Sequence, residues 1–183
     1  MRAGGMANTP IEDAALDEAT AYYARPRESK AERVVSMIVF RLGAEWFALS
    51  TRVLDRVAAV QRVHSLPHRR GGAALGLVNV GGDIIVHVSL AGLLRISSSE
   101  SSLAAIKTLS RLVVLSDARG RFAATVDEVW GTRHFDAVQL RPVPHGVART
   151  ESSFTTAILQ VDEHSAGCLD ETRVMQMLAE RLS

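Results

Sequence analysis

Gly76-Leu77-Val78-Asn79-Val80-Gly81-Gly82-Asp83-Ile84-Ile85-Val86-His87-Val88 is the stretch that decides the fold. Two apolar, β-branched runs flank Gly81-Gly82-Asp83, and glycine reaches the positive φ of a tight turn at no steric cost. Leu75–Val80 therefore reads as a strand, and Ile84–Val88 pairs behind it. His87 sits inside the second run and reads as a half-buried strand residue making one hydrogen bond.

Working outward, the same grammar recurs. Val34–Leu42 is a long apolar run, Gly43-Ala44 punctuates it, and Glu45–Leu49 resumes, which predicts a hairpin. Ser50–Val57 reads as a short helical turn and the onset of another strand. Ser65-Leu66-Pro67 breaks the chain, and Gly71-Gly72 is a loop. Ile96–Thr108 contains Ser97, Ser98, Ser99, Ser101 and Ser102 and reads as an exposed linker. Beyond it, Leu109–Ser116, the turn Ala118-Arg119-Gly120 and Phe122–Val126 form a second hairpin. Met37–Leu49 and Arg111–Val126 thus look alike, and each is followed by a similar apolar step, Val53–Val57 or Val126–Val129. This spacing predicts two homologous small barrels. Val129–Arg133, Thr155–Val161 and Ala166–Leu169 then supply the rest of the second. Val174, Met177, Leu178 and Leu182 form one stripe of a terminal helix that starts at Asp170.

Composition sets outer limits. The chain has 183 residues, 21 Lys plus Arg, 20 Asp plus Glu, one Cys and a net charge of +1. The near-balance argues against a generic phosphate-backbone binder. Cys168 can form neither an intrachain disulfide nor a CxxC site. No run reaches the ~18 apolar residues of a membrane span, and Met1–Pro10 lacks a signal-peptide core, so a cytoplasmic location is expected. Aromatics are only 5% of residues, so the core is expected to be aliphatic. Residues 1–33 differ: they are polar, with 5 Arg or Lys and 6 Asp or Glu. Thr9-Pro10-Ile11-Glu12 suits a helix start, and a short helix over Pro10–Tyr23 is expected. The ordered domain is expected over 34–183, with its linker near 96–108.

No catalytic constellation assembles. There is no G-x-S-x-G elbow. His64 and His68 flank Pro67, which prevents the regular helix that would align them on a metal. Gly71–Gly76 lacks the Lys-Ser/Thr of a phosphate loop and precedes a strand. Asp127-Glu128 is adjacent on a strand, so its carboxylates face opposite ways. Arg62, Arg69 and Arg70 form a local basic patch that suits an anion or nucleic acid. The pattern points to a binding module with no enzymatic activity, no metal and no cofactor.

From Met37 to Leu182 the chain resembles the CheW family of adaptors. The resemblance is carried by Phe40-Arg41-Leu42-Gly43-Ala44-Glu45-Trp46-Phe47-Ala48-Leu49, by Leu66-Pro67, and by Gly76–Leu90. Val126-Asp127-Glu128-Val129, Leu140-Arg141-Pro142-Val143-Pro144 and Leu169-Asp170 match its second half. It implies a mainly β fold of two five-stranded β-barrels, with a C-terminal helix and here a short N-terminal helical extension. It also implies a non-catalytic adaptor coupling a chemoreceptor tip to the regulatory domain of a CheA-type histidine kinase, in arrays at the inner membrane. Homologous adaptors can close such contacts into rings. A receptor-facing groove is expected at Leu54, Arg56, Val57, Asn79, Gly81, Gly82 and Val86. A kinase-facing surface is expected at Phe122, Val126, Asp127 and Val129. The chain departs from the family at several points. Gly81 replaces an arginine associated with receptor coupling, Arg56 stands where many members carry an acid, Val86-His87 replaces a Pro-apolar pair, and Ser89 replaces an Asp. Val63–Arg70 and Gly167–Glu171 resemble the second CheW-like adaptors of Wsp-type surface-sensing pathways, whose output is a diguanylate cyclase. Those adaptors often carry a Cys-rich N-terminal segment, which this chain lacks.

Overall fold

Alternate residues of the first strand, β1 (Val34–Leu42), enter two different cores. Met37 and Val39 enter one, and Ile38, Phe40 and Leu42 enter the other. Successive side chains of a strand point to opposite faces, so a strand buried on both must be apolar throughout. That is why this run is continuous and does not alternate.

The computed structural model describes residues 34–65, 74–96, 108–143 and 154–182. After β1 come β2 (Glu45–Ser50), a 3-10 turn (Thr51–Val53), β3 (Leu54–Ala59), β4 (Val63–His64), β5 (Ala74–Val80), β6 (Asp83–Val88) and helix α1 (Leu90–Leu94). Then follow β7 (Arg111–Asp117), β8 (Gly120–Val126), β9 (Glu128–Asp136), β10 (Arg141–Pro142), β11 (Thr155–Val161), β12 (His164–Leu169) and helix α2 (Glu171–Leu182). A boundary between compact units falls between Arg33 and Val34. The expected N-terminal helix, the Gly71-Gly72 loop and most of the serine-rich stretch lie outside the described residues.

Two six-stranded sheets result, ordered β10-β11-β12-β2-β1-β9 and β4-β5-β6-β8-β7-β3. Each exceeds the expected five strands by one two-residue strand, β10 or β4. The two orders are the same order. In each sheet one hairpin runs antiparallel (β1–β2, β7–β8), and its second strand pairs in parallel with another hairpin (β2 with β12, β8 with β6).

The sequence repeat is therefore real, but its halves do not fold separately. The β1–β2 hairpin completes the sheet of β9–β12, and β7–β8 completes the sheet of β3–β6. The segment near 96–108 joins α1 to β7 and does not divide two lobes, because β7 lies in the same sheet as β3–β6. A short route explains the exchange. Thr51–Val53 takes the chain directly from β2 into β3, and β3 pairs with β7.

Each sheet curls around its own small core. Met37, Ala48, Phe135, Leu159 and Ala166 fill the first, and Val78, Ile85, Leu112, Val114 and Ala123 fill the second. β9 and β12 are three strand spacings apart, roughly 14 Å if the sheet were flat. Yet the rings of Trp130 on β9 and His164 on β12 lie 5.6 Å apart. A third, larger core lies between the sheets, where Ile38, Phe40, Leu49, Val113, Leu115 and Phe122 meet Val174, Met175 and Leu178 of α2. Equivalent side chains cap the two helices: Ser89 Oγ accepts from Gly92 N–H (2.9 Å), and Asp170 Oδ1 accepts from Arg173 N–H (3.0 Å). Both are caps of the Ser/Asp type that satisfy an otherwise orphaned amide.

Two positions inside the deciding stretch are tightly constrained. A Cβ on Gly76 would stand 2.3 Å from the carbonyl oxygen of His64. Backbone atoms cannot yield as a flexible side chain can, so Gly76→Ala should cost about 2 kcal/mol or more, measured by urea unfolding. His87 is buried at 5% exposure, more deeply than a half-buried strand residue, and its Nε2 lies 2.9 Å from Thr125 Oγ1. Burial holds its pKa below the ordinary 6.5. The unfolded chain then takes up a proton that the native state refuses. Stability is therefore full above pH 6.5 and falls as the pH drops from there to the lower native value. Unfolding midpoints at pH 7.5 and 5.5 should differ less for His87→Gln than for the parent chain.

Candidate functional site

The turn between β5 and β6 needs glycine twice, with φ of +65° at Gly81 and +100° at Gly82. Asn79 locks it from below, its Oδ1 accepting from Gly82 N–H at 2.8 Å. β3 reaches the same end of the sheet. Its pairing with β7 slips between Leu54 and Arg56, so Asp55 is an extra residue in a bulge. A bulge re-aims side chains next to it. Here Arg56 comes to lie over the turn, its Nη1 3.4 Å from where a Gly81 Cβ would be.

A chain of ion pairs ties these elements. Arg121 on β8 donates from Nη2 to Asp55 Oδ2 (2.6 Å) and from Nη1 to Asp83 Oδ2 (2.9 Å). Arg56 Nε is 3.4 Å from the same Asp55 oxygen. The Arg121 hydrogen bond, with help from Arg56, holds the Asp55 carboxyl below its ordinary pKa. Sequence reading missed Asp55, Asp83 and Arg121. A trace of them is visible, since each charge interrupts an apolar strand near a turn.

Of the expected groove residues, Arg56, Val57, Asn79, Gly81 and Gly82 are exposed at this end. Leu54 and Val86 are half-buried against the central core. Ile84, at 64% exposure, adds an apolar side chain outside the expected set, alongside Val57 at 40%.

The expected kinase-facing set behaves differently. Phe122 (6% exposed) and Val126 (0%) are core residues, so neither offers a contact surface. Val129 packs half-buried against the same core. Asp127 acts locally. Its Oδ2 accepts from Gly43 N–H (2.6 Å), and its own N–H donates to Arg41 O (3.0 Å). Glu128 pairs with Arg41 at 3.2 Å. Together they fasten the β1–β2 turn. Of the basic patch, Arg62 is exposed, while Arg69, Arg70 and His68 lie outside the described residues. Among the described residues no three His, Cys, Asp or Glu side chains are grouped to hold a metal. Cys168 is buried, which pushes its thiol up to about 11 and keeps it protonated at neutral pH.

The other sheet presents a counterpart. β9 bulges against β1 between Val129 and Gly131, which makes Trp130 the extra residue where β3 has Asp55. Counting from the turns, Trp46 stands where β8 has Arg121, and His164 where β6 has Asp83. In this lobe three rings replace three charges. Trp46 stacks on His164 (5.0 Å), and Trp130 meets Trp46 edge-on at 5.3 Å.

These features define a two-lobed β module whose candidate site is made of turns, bulges and exposed ion pairs. A family model for the CheW-like domain matches residues 36–179, and the chain belongs to that family. No curated protein matches the sequence. Among solved structures, the scaffolding protein TtCheW from Thermoanaerobacter tengcongensis is similar, at 19% identity and a TM-score of 0.60. The match covers 74% of this chain and 88% of that one. No helix among the described residues is long and apolar enough to cross a membrane.

The ion-pair chain makes a local prediction. Arg121→Met should barely move the unfolding midpoint, because exposed pairs add little stability. It should, however, speed amide exchange at Gly82 and return the Asp55 pKa toward its ordinary value, both readable by NMR.

Proposed function

We propose that this chain is a non-catalytic adaptor that couples a chemoreceptor tip to a CheA-type histidine kinase. The observation that carries this is the family match over residues 36–179, on a fold whose candidate site offers docking groups. The resemblance to Wsp-type second adaptors extends the proposal to a pathway with cyclic-di-GMP output.

The site's chemistry supports the receptor half. Family members carry an arginine at the position of Gly81. Here the space beside Gly81 is taken by the guanidinium of Arg56, delivered from the neighbouring bulge. A cation is thus kept at the turn, but it arrives from β3. Val57 and Ile84 are exposed apolar groups on the two strands that carry the site. One cation with apolar neighbours suits a helical hairpin whose surface mixes acids with aliphatic side chains. Individual contacts of this kind can be weak, because linking many of them raises avidity by about 10²–10⁴. Head-to-tail contacts between homologous lobes close into rings when the rotation allows it.

The kinase half is relocated. Since Phe122 and Val126 are buried, the contact is proposed at the exposed edge of the β1–β2 turn that Asp127 fastens.

Binding of a receptor-tip fragment tests the reading. Val57→Glu and Arg56→Glu should each weaken it at least tenfold, about 1.4 kcal/mol, with the fold unchanged by circular dichroism. Gly81→Arg should also weaken it, since the new side chain meets Arg56. Unchanged affinity in all three variants would remove this end of the sheet from the receptor interface. Loss of most affinity between low and moderate salt with no effect of Val57→Glu would favour anion binding instead.

A further inference from the structure

The lobe with the aromatic trio also carries a groove beside the β1–β2 turn, at whose edge the kinase contact is proposed. It has a volume of about 500 Å³ and is lined from β2, β11 and β12. Phe47, Ile158 and Gly167 lie along it, and Glu45, Glu163 and His164 line it beside Trp46. Gly167 keeps the face low: a Cβ there would stand 3.3 Å from the Thr155 side chain and 3.6 Å from the Phe47 ring.

Two features give this groove a sign. Glu45 and Glu163 are both exposed, and neither has an ion-pair partner among the described residues. Their counterparts in the other lobe, counted from the same turns, are Gly120 and Gly82, which have no side chain. Both carboxylates are therefore additions to this lobe alone. In the other lobe, Arg121 already lies between two carboxylates of the chain itself. Here the equivalent residue is Trp46, whose ring already carries the Arg41 guanidinium at 6.0 Å; Arg41 in turn pairs with Glu128, so Glu45 and Glu163 are the groove acids left without a cation among the described residues.

We propose that this groove docks a basic segment of a partner protein, with an arginine or lysine side chain entering between Glu45 and Glu163. An anionic segment would be repelled. A purely apolar one would desolvate the two carboxylates without pairing them, which is costly. A cationic side chain answers them, and the arginine fork can meet both carboxylates at once. The aliphatic stem of the same side chain covers the half-buried Ile158.

The chain's only two tryptophans, Trp46 and Trp130, line or adjoin this groove, so their emission reports on its occupancy. The test titrates the full chain with a short peptide alternating Arg and Leu, and with the same peptide carrying citrulline, the neutral isostere of arginine. The arginine peptide should shift the emission saturably and bind at least tenfold more tightly than the citrulline peptide. The double variant E45Q/E163Q should lose that tenfold preference, and Arg56→Gln, in the other lobe, should keep it. No binding, equal binding of both peptides, or an unchanged preference in E45Q/E163Q would overturn the proposal. Loss of the preference in Arg56→Gln would also overturn it, by placing the basic peptide at the other lobe. The outcome is independent of receptor binding, which reads the opposite lobe.

Discussion

The structure depends on burying both faces of β1 and β7. Each is the strand through which a curled sheet touches the shared central core. Ile38 and Phe40 face that core from one side, and Val113 and Leu115 from the other. Met37, Val39, Leu112 and Val114 fill the interiors of their own sheets. Neither strand can be moved to a surface without exposing one of its two apolar rows. The shared core also receives α2, whose Val174, Met175 and Leu178 are fully buried. The two sheets, the exchanged hairpins and the terminal helix are thus held by one set of contacts.

The exchange of hairpins gives the molecule internal symmetry, and the symmetry exposes where the two lobes diverge. Both lobes keep the same bulge, the same parallel pairing and the same capped helix. They differ in the three side chains near the bulge. Asp55, Arg121 and Asp83 make one end polar and pin a glycine turn, whereas Trp130, Trp46 and His164 make the other end aromatic. The scaffold is repeated, while its two ends are chemically unlike.

On the proposed reading, Arg56 and Gly81 illustrate how a family position can change while its surroundings adapt. A side chain is removed from the turn, and a guanidinium from the adjacent bulge occupies the freed space. The positive charge at the turn comes from β3, and its carboxylate partner, Asp55, is shared with Arg121. Reading either position alone gives a loss or a reversal of charge. Reading them together gives a relocated cation.

The strands were legible in the chain because local rules govern them. Continuous β-branched runs, glycine turns and a helical stripe mark elements whose signals lie within a few residues of each other. The repeat was legible for the same reason, as were Asn79, Gly81 and Gly82, which form a turn with short-range hydrogen bonds. The partition of the repeat was not. A hairpin satisfies its own hydrogen bonds equally well in either sheet, so its pattern does not say which one it completes. Phe122 and Val126 read as a strand surface because the second apolar face, set by residues far away in the chain, is invisible locally. Asp55, Arg121 and Asp83 meet only because β3, β8 and the β5–β6 turn are brought to one end by the curl of the sheet. Sequence alone determined the elements, their turns and the family. Tertiary structure decided which hairpin joins which sheet and which side chains are left exposed together, because those depend on burial and charge pairing between residues far apart in the chain.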